Sequence, residues 1–384
     1  MLKRVAALVV CACTALSACS SPNSDSETQT ASASGAVVVT DVLGRKVEFD
    51  APPERIILGE GRGVFATAIL DKDNPLDRVV AIGNDLANAA PSYREKLVEA
   101  IPAAKDIPEI GGLAKGDVTV ENLLSYNPDV VVITADHHDS ISNTGMLAQM
   151  EEAGLKYVVT DFRQHPLENT TKSMEAFGAL LGKEEQAKEF NQEWTNTVDK
   201  VTERTAKVSH RPKTLLWRAA GLKDCCATVK DSNLGELVNL AGGDNLGDHI
   251  LTGDEGDITA EKVVAEQPEV IIATGGSWAP KKDKPEVLPH VELGYAATEQ
   301  QAEKTLQGLL ATPGFDQLDS DMYAVWHQFY DSPFNYLVLE QFAVWLQPEL
   351  FQDFTPEEDF VKAHEQYVPF SASGVFFVSN PDNK

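Results

Sequence analysis

Cysteine is scarce in this chain, and its placement excludes a scaffold held together by disulfides. The sequence has five cysteines in 384 residues, and Cys11, Cys13 and Cys19 lie in or directly after an apolar N-terminal segment. The rest of the chain keeps only the adjacent pair Cys225 and Cys226, so the fold must rest on its hydrophobic core. Adjacent cysteines form either a strained vicinal disulfide or two free thiols, with soft-metal binding a less favoured third option.

Positive charge is also in short supply, with 32 Lys and Arg residues against 59 Asp and Glu residues and a formal net charge of −27. Such a surface repels nucleic-acid phosphates and anionic lipid, so we expect neither as a partner. The content of 43% hydrophobic and 24% charged residues is that of a soluble globular protein. A chain of 384 residues can form two domains, each with its own core.

Catalytic signatures are missing from the sequence. It contains no HExxH, no GxSxG and no phosphate-binding glycine loop, and no nucleophile is paired with a base at a useful spacing. The stretch DHHDS, with His137 and His138, would suit a metal-dependent hydrolase. We predict that the protein is not an enzyme, with an exported hydrolase and a purely structural lipoprotein as remote alternatives.

The N-terminal stretch MLKRVAALVVCACTALSAC has the plan of a secretory signal: two cations, an uncharged apolar run, and small residues before Cys19. Leu16 to Cys19 resembles a bacterial lipobox, in which the cysteine is acylated and becomes the mature N-terminus; ordinary signal cleavage is the alternative. Removal of residues 1–18 takes Lys3 and Arg4 with it and leaves a net charge of −29. Residues 19–36 are rich in Ser, Thr and Ala and predict a flexible tether.

One stretch of the sequence occurs nearly twice, as DVTVENLLSYNPDVVVIT at 117–134 and as DITAEKVVAEQPEVIIAT at 257–274. Each copy predicts a helix capped by Thr119 or Thr259 and ended by Pro128 or Pro268. A run of β-branched residues follows, which indicates a strand covered on both faces. Two copies, one in each half, predict two similar lobes rather than a solenoid.

Further apolar runs, ERIILGEG, RVVAIG, KYVVTDF and KTLLWRAAG, alternate with helical stretches. This alternation predicts an α/β fold of two similar lobes with largely parallel sheets flanked by helices. Residues 183–209 lack Pro and Gly and carry apolar residues at helical spacing, which favours one long helix joining the lobes; a further helix within one lobe is the alternative. The predicted division is a signal at 1–18, a tether at 19–36, an N-terminal lobe at 37–182, a connecting helix at 183–209 and a C-terminal lobe at 210–384.

Together these pieces resemble the substrate-binding lipoproteins of ABC-type importers for iron siderophores, haem and cobalamin, the class III periplasmic binding proteins. VVVTDVLGRKVEFDAPPERII is similar to that family's entry hairpin and first strand. VENLLSYNPDVVV and AEKVVAEQPEVII are similar to its paired element of Glu followed by Pro and Asp or Glu. NLGELVNLAGGDNLGD and LEQFAVWLQPELF are similar to a helix with its Gly-Gly turn and to the closing helix of the second lobe.

The resemblance implies a monomeric extracytoplasmic receptor, anchored to the bacterial cell membrane by lipid on Cys19, with an interlobe cleft as its ligand site. The receptor would capture a ferric siderophore complex and deliver it to ABC-importer permease subunits, without a cofactor of its own; haem and cobalamin are the alternative ligands. The resemblance also implies that Glu121 and Glu261, one on each lobe, dock on permease arginines. Support of the helix dipole is the alternative role for both glutamates.

In a two-lobe receptor the ligand lies between loops at the C-terminal ends of strands. We expect exposed arginines there to form a local positive island for an anionic iron chelate, and aromatic residues to supply flat contacts. Two adjacent histidines on an extended segment would point to opposite sides and would not chelate one ion. For each candidate, packing or plain solvent exposure is the alternative. The candidate ligand-binding residues are Glu60, Arg62, His137, His138, Arg163, Trp217, Arg218, Trp278 and Tyr330.

Overall fold

The computed structural model describes residues 35–222, 225–277 and 289–380. Its strands are β1 (Val37–Thr40), β2 (Lys46–Phe49), β3 (Ile56–Leu58), β4 (Val79–Gly83), β5 (Glu109–Ile110), β6 (Val130–Thr134), β7 (Lys156–Thr160), β8 (Lys213–Trp217), β9 (Ala227–Val229), β10 (Asp244–Asn245), β11 (Glu255–Asp257), β12 (Val270–Gly275), β13 (Asp321–Trp326) and β14 (Phe377–Ser379). Its helices are α1 (Val64–Leu70), α2 (Asp85–Ala89), α3 (Pro91–Ala100), α4 (Val120–Leu124), α5 (Ala135–Ser142), α6 (Met146–Glu152), α7 (Pro166–Leu181), α8 (Glu184–Thr205), α9 (Leu234–Leu240), α10 (Leu246–Ile250), α11 (Ala260–Glu266), α12 (Glu299–Leu309), α13 (Asn335–Leu346) and α14 (Pro356–Tyr367).

The first lobe is built on a sheet of five parallel strands in the order β5-β4-β3-β6-β7. The residues of β3 and β6 are all buried, as expected for apolar runs covered on both faces. The hairpin of β1 and β2 precedes this sheet, in agreement with the predicted entry hairpin. Because the strands are parallel, their C-terminal ends meet at one edge, where the candidate residues follow β3, β6 and β7.

The second lobe repeats this plan with the order β10-β8-β12-β13-β14. Its first four strands are parallel, and β14 runs antiparallel at the edge. Two five-stranded sheets flanked by helices confirm the predicted α/β fold of two similar lobes. The chain bends back after β13 through a 3₁₀ turn, His327–Asp331, which leads into α13.

Helices α7 and α8 carry the chain from the first sheet to the second. The 22 residues of α8 lie within the range predicted for the connecting helix. Its buried stripe includes Phe190 and Trp194, and the Trp194 indole donates to Asn335 Oδ1 of α13 at 2.7 Å. Asn191, which is also buried, donates to the Thr171 carbonyl of α7 at 2.9 Å. The contacts of α8 therefore reach elements of both lobes, while the domain boundaries themselves stay a prediction.

The two repeated stretches fold alike. Thr119 accepts a hydrogen bond from the Asn122 amide at 3.2 Å and Thr259 accepts one from the Lys262 amide at 3.2 Å, which confirms both predicted caps. In each copy a residue with positive φ stands directly before the proline, Asn127 at 47° and Gln267 at 48°. A buried parallel strand follows in both copies. The duplicated sequence is therefore a duplicated supersecondary unit.

The adjacent Cys225 and Cys226 are joined as a vicinal disulfide. Cys226 is buried, and its amide and carbonyl pair with Ile258 at the start of the second repeated helix. The disulfide thus lies in the second lobe, close to the ends of β9 and β11.

Candidate functional site

The loop after β3 is fixed by contacts with the end of β4 rather than loosened by its glycines. A side chain at position 61 would collide with the carbonyl oxygen of Gly83, so only glycine fits this close approach. The amides of Gly61 and Arg62 donate to the two carboxylate oxygens of Asp85 at 2.6 and 3.2 Å. The loop thereby holds Glu60 and Arg62 in fixed positions at the edge of the sheet.

Arg62 is buried among groups from both lobes, with only 5% of its surface exposed. Its Nε donates to Asp85 at 3.0 Å, and Nη1 donates to the Tyr330 hydroxyl at 2.6 Å and to Gln328 at 3.1 Å. Nη2 lies 3.2 Å from Asp331 and pairs with Glu60. Burial lowers the pKa of Arg62, but its electrostatic interactions with Tyr330 and Asp331 outweigh this effect and raise the pKa above its usual value. The arginine stays charged because it is paired.

Arg163, which follows β7, reaches the same place from the neighbouring loop. Its Nη2 donates to the Tyr330 hydroxyl at 2.7 Å and to Glu60 at 3.0 Å, and Nη1 pairs with Asp136. The guanidinium carbons of Arg62 and Arg163 lie 5.0 and 4.8 Å from the centre of the Tyr330 ring, within cation–π range. The structure therefore brings together five residues from the sequence prediction: Glu60, Arg62, His137, Arg163 and Tyr330.

The predicted positive island is wrong for the described residues. Two arginines in this cluster contact four carboxylates: Glu60, Asp85, Asp136 and Asp331. Burial lowers the pKa of His137, so the imidazole adds no positive charge near neutral pH. The prediction failed because it counted the basic and aromatic residues of the loops and left out the acids beside them.

Several polar atoms in this cluster are buried without a hydrogen-bond partner among the described residues. They are Glu60 Oε2, Thr134 Oγ1, Asp136 Oδ1, His137 Nδ1 and Arg163 Nε. A cavity of about 10 Å³ lies beside Glu60, Thr134 and Asp331, which is roughly the space of one water molecule. Buried polar groups normally have partners, so these atoms mark a place where a water molecule or one polar group of a bound solute would complete the network.

His137 and His138 belong to α5 and not to an extended segment, so that expectation is wrong. The helix begins directly after β6, with Asp136 in its first turn. His137 Nε2 lies 4.0 Å from Glu60 Oε2, whereas His138 Nδ1 lies 3.5 Å from Asp139. Consecutive residues differ by about 100° around a helix, so the two rings still do not converge. Within the described residues, no group of three or more His, Cys, Asp or Glu could hold a metal ion.

The remaining candidates contact other groups or lie outside the description, although the charge of Arg218 still acts on His327, in the turn that carries Tyr330. Trp217 ends β8 and is buried against Phe315, with ring centres 5.6 Å apart, so it is a core residue of the second lobe. Arg218 pairs with Glu255 at 2.7 Å and is 28% exposed. Trp278 lies outside the described residues. The residues that sequence reasoning missed are Asp85, Asp136, Gln328 and Asp331, each of which follows a strand end by a few positions.

The two candidate docking residues share one geometry. Glu121 and Glu261 are exposed and lie in the first turns of α4 and α11, next to the capping threonines. Backbone hydrogen bonds, followed by the hydroxyl of Thr119 or Thr259, lower the pKa of each glutamate. Both therefore present a negative charge to solvent.

Two α/β lobes with a charged cluster between their strand ends define a ligand-binding protein of the two-lobed kind. A model of the periplasmic binding protein family matches residues 77–318. The chain belongs to the periplasmic binding protein family.

Solved structures agree with this assignment. The TroA-like periplasmic binding protein FepB from Veillonella parvula is 27% identical with a TM-score of 0.80, and the match covers 90% of this chain and 99% of that chain. Helicobacter pylori CeuE, solved with Ni(II) bound, is 19% identical with a TM-score of 0.60 over 87% of this chain and 97% of that chain. A periplasmic haem-binding protein from Pseudomonas aeruginosa is 16% identical with a TM-score of 0.54 over 78% and 94%. No curated protein sequence matches the chain.

Membership of the family decides the class of activity. The protein is a solute-binding protein and not an enzyme, and its ligand is a transported substrate rather than a cofactor. The family works with ABC transporter permeases and acts outside the cytoplasm. In the described part of the chain, no helix combines the length and the apolar character needed to cross a bilayer.

Proposed function

We propose that this protein is a lipid-anchored receptor that captures a ferric siderophore complex between its lobes and delivers it to an ABC-type importer. The observation that carries the proposal is the cluster at the strand ends, where Arg62 and Arg163 of the first lobe contact Tyr330 of the second. Guanidinium groups and a phenol suit the oxygen-rich surface of an iron chelate. Membership of the periplasmic binding protein family and similarity to FepB support a transported solute as the ligand.

A fluorescence titration tests the ligand. The mature chain carrying Cys19→Ser is titrated with ferric siderophores of several donor types, haem and cobalamin, and quenching of tryptophan emission reports binding. We expect saturable quenching by at least one ferric siderophore and by neither haem nor cobalamin. Tight binding of haem or cobalamin alone would replace the siderophore with that ligand, because both are solutes of the same importer family.

A labelling experiment tests the anchor. If Cys19 carries the acyl chains, Cys19→Ser abolishes incorporation of labelled fatty acid and releases the protein from the membrane fraction, because multiple chains on one residue are needed for stable anchoring. Cys13→Ser serves as the matched control, since Cys13 lies within the apolar segment that precedes the lipobox. Unchanged labelling of the Cys19 variant would contradict the lipoprotein assignment.

A further inference from the structure

The second lobe contributes a carboxylate to the arginines of the first lobe. Asp331 ends the 3₁₀ turn after β13, and its Oδ2 lies 3.2 Å from Nη2 of Arg62 and 3.2 Å from Nη2 of Arg163. Its side chain is 3% exposed. A carboxylate that bridges two guanidinium groups fills the position that an anionic ligand oxygen would otherwise take. Because Asp331 and the two arginines belong to different lobes, separation of the lobes would break both contacts.

The charge around this contact is unfavourable for a second anion. The arginines already contact Glu60, Asp85 and Asp136 as well as Asp331, so the described carboxylates outnumber the described cations. Burial and the positive charges of Arg218, Arg62 and Arg163 lower the pKa of His327, which begins the same turn, so that imidazole is neutral as well. In a buried site, where charges interact strongly, an additional negative group would be repelled.

The carboxylate oxygens that lack a hydrogen-bond partner among the described residues favour a ligand with hydrogen-bond donors. Glu60 is 5% exposed, and its Oε2 has no hydrogen-bond partner among the described residues; the same is true of Asp136 Oδ1. Both are carboxylate oxygens, which only accept hydrogen bonds when ionised. A buried acceptor without a donor costs stability, so a ligand that supplies N–H or O–H groups would gain from binding here.

We propose that Asp331 determines whether the site prefers anionic, neutral or cationic ligands; this proposal rests on the proposed function. When the lobes close, Asp331 joins Arg62 and Arg163 and takes the place of an anionic donor. The site then accepts neutral or cationic chelates that carry hydrogen-bond donors, and it disfavours strongly anionic ones. A ferric trihydroxamate with a free ammonium group belongs to the favoured class, and a ferric tricatecholate belongs to the disfavoured class.

The test compares three ferric complexes on the same protein. They are a linear trihydroxamate with a terminal ammonium, its N-acetylated derivative, which is neutral, and a tricatecholate. We expect wild-type affinity to fall in that order. Because like charges in contact are strongly unfavourable, Asp331→Asn should strengthen tricatecholate binding by roughly tenfold or more. Asp199→Asn, the same change at an exposed position of α8, should leave the order and the affinities unchanged.

A second variant probes the unsatisfied acceptor. Glu60→Gln removes the negative charge of that side chain, so the preference for the ammonium form over the acetylated form should shrink several-fold. This variant keeps the proposal testable if Asp331→Asn unfolds. Unchanged affinities for all three chelates in both variants, or a wild-type preference for the tricatecholate, would overturn the role of Asp331 while leaving the siderophore receptor in place.

A measurement without ligand tests the contact between the lobes separately from the identity of the ligand. Hydrogen exchange is followed in the ligand-free protein at residues 61–63 of the first lobe and 327–331 of the second. If Asp331 joins the lobes, Asp331→Asn accelerates exchange in both segments and Asp199→Asn accelerates neither. Faster exchange in a protein that binds none of the chelates would support the closing contact and contradict the proposed ligand. Unchanged exchange in Asp331→Asn would contradict the closing contact whatever the ligand.

Discussion

The unit at residues 117–134 and its copy at residues 257–274 begin in the same way and end in different surroundings. At the start, Thr119 and Thr259 cap their helices with the same bond length, 3.2 Å, and an exposed glutamate follows each cap. At the end, Thr134 Oγ1 is buried and has no hydrogen-bond partner among the described residues, whereas Thr274 Oγ1 accepts from the Ala219 amide at 2.6 Å and lies 2.8 Å from His327 Nδ1.

This difference separates the part of the unit that builds the lobe from the part that serves the ligand. The cap, helix and strand recur because each lobe needs a buried strand with a helix packed beside it. Beyond the strand, the first lobe continues into α5 with Asp136 and His137, which join the charged cluster. The second lobe reaches that cluster through a different strand, β13, and the turn that carries Tyr330 and Asp331. The lobes are alike in architecture and unlike in the chemistry they bring to the cleft.

Charge reversal tests the role of the exposed glutamates that follow the two helix caps. If Glu121 and Glu261 dock on permease arginines, the double variant Glu121→Lys, Glu261→Lys should reduce uptake to background, because like charges meet at the interface. Ligand affinity and the melting temperature should stay at wild-type values, since both side chains are exposed. Uptake by cells, ligand quenching and thermal unfolding are measured on the same variants.

Glu299→Lys provides the matched control for this prediction. Glu299 is also an exposed glutamate in the first turn of a helix capped by threonine, but it lies outside the repeated unit. Its reversal should leave uptake unchanged. If the double variant transports normally, or if Glu299→Lys is equally harmful, the repeated glutamates serve only their helices.

Because the two lobes differ where their strands end, removing an arginine from each lobe should change stability and ligand binding to different extents. Arg62→Ala removes one of the two cations that the buried Glu60 and Asp331 contact, so it should lower the free energy of unfolding by about 3–5 kcal/mol. It should also weaken ligand binding by roughly tenfold to a hundredfold. Arg218→Ala, in the second lobe, removes a partly exposed pair with Glu255, for which the median loss of stability is about 0–1 kcal/mol. Denaturant unfolding and ligand titration of both variants measure the contrast.

This prediction replaces an expectation drawn from the sequence, in which the cleft arginines were exposed. Equal losses for Arg62→Ala and Arg218→Ala would show that the two lobes contribute similar sites. Arg62→Lys sharpens the test, because it keeps the charge but not the set of donors that reach Asp85, Gln328 and Tyr330. We expect this variant to recover part of the stability and little of the affinity.

The elements of the fold were predictable because their signals are local. A β-branched run that is buried on both faces identifies β6 and β12 from the sequence alone, and a threonine before the helical stretch identifies each cap. The helix at Ala135–Ser142 was not predictable in this way, because a short polar segment after a strand has no periodic apolar pattern. Its conformation depends on packing against neighbouring elements.

The composition of the site was predictable only in part. Placing candidates at strand ends located Glu60, Arg62 and Arg163, because parallel strands bring their C-terminal ends together. The partners Asp85 and Asp331 carried no signal in a chain with 59 acidic residues. They became meaningful once the sheet order set β4 beside β3 and the turn after β13 against both arginines.

The smallest expected effect concerns the two helix caps. Removing them tests whether Thr119 and Thr259 stabilise their lobes equally. Thr119→Ala and Thr259→Ala each remove one hydrogen bond to a helix amide, so each should lower the free energy of unfolding by about 1 kcal/mol. The corresponding serine variants retain the hydroxyl and should lose little. Denaturant unfolding of the four variants provides the measurement, and a loss confined to one lobe would contradict equivalence.

Acid titration adds a second readout for the same variants. The folded pKa of Glu121 and of Glu261 is lowered, first by backbone hydrogen bonds and then by the threonine hydroxyl. The stabilisation from each glutamate is therefore complete above the unfolded pKa and is lost as the pH falls through the folded pKa. Removing the hydroxyl should raise the pKa of the neighbouring carboxyl toward its usual value, by the same amount in both lobes. Carboxyl chemical shifts followed by NMR measure this change, and unequal changes would show that the copies have diverged at their outer ends as well.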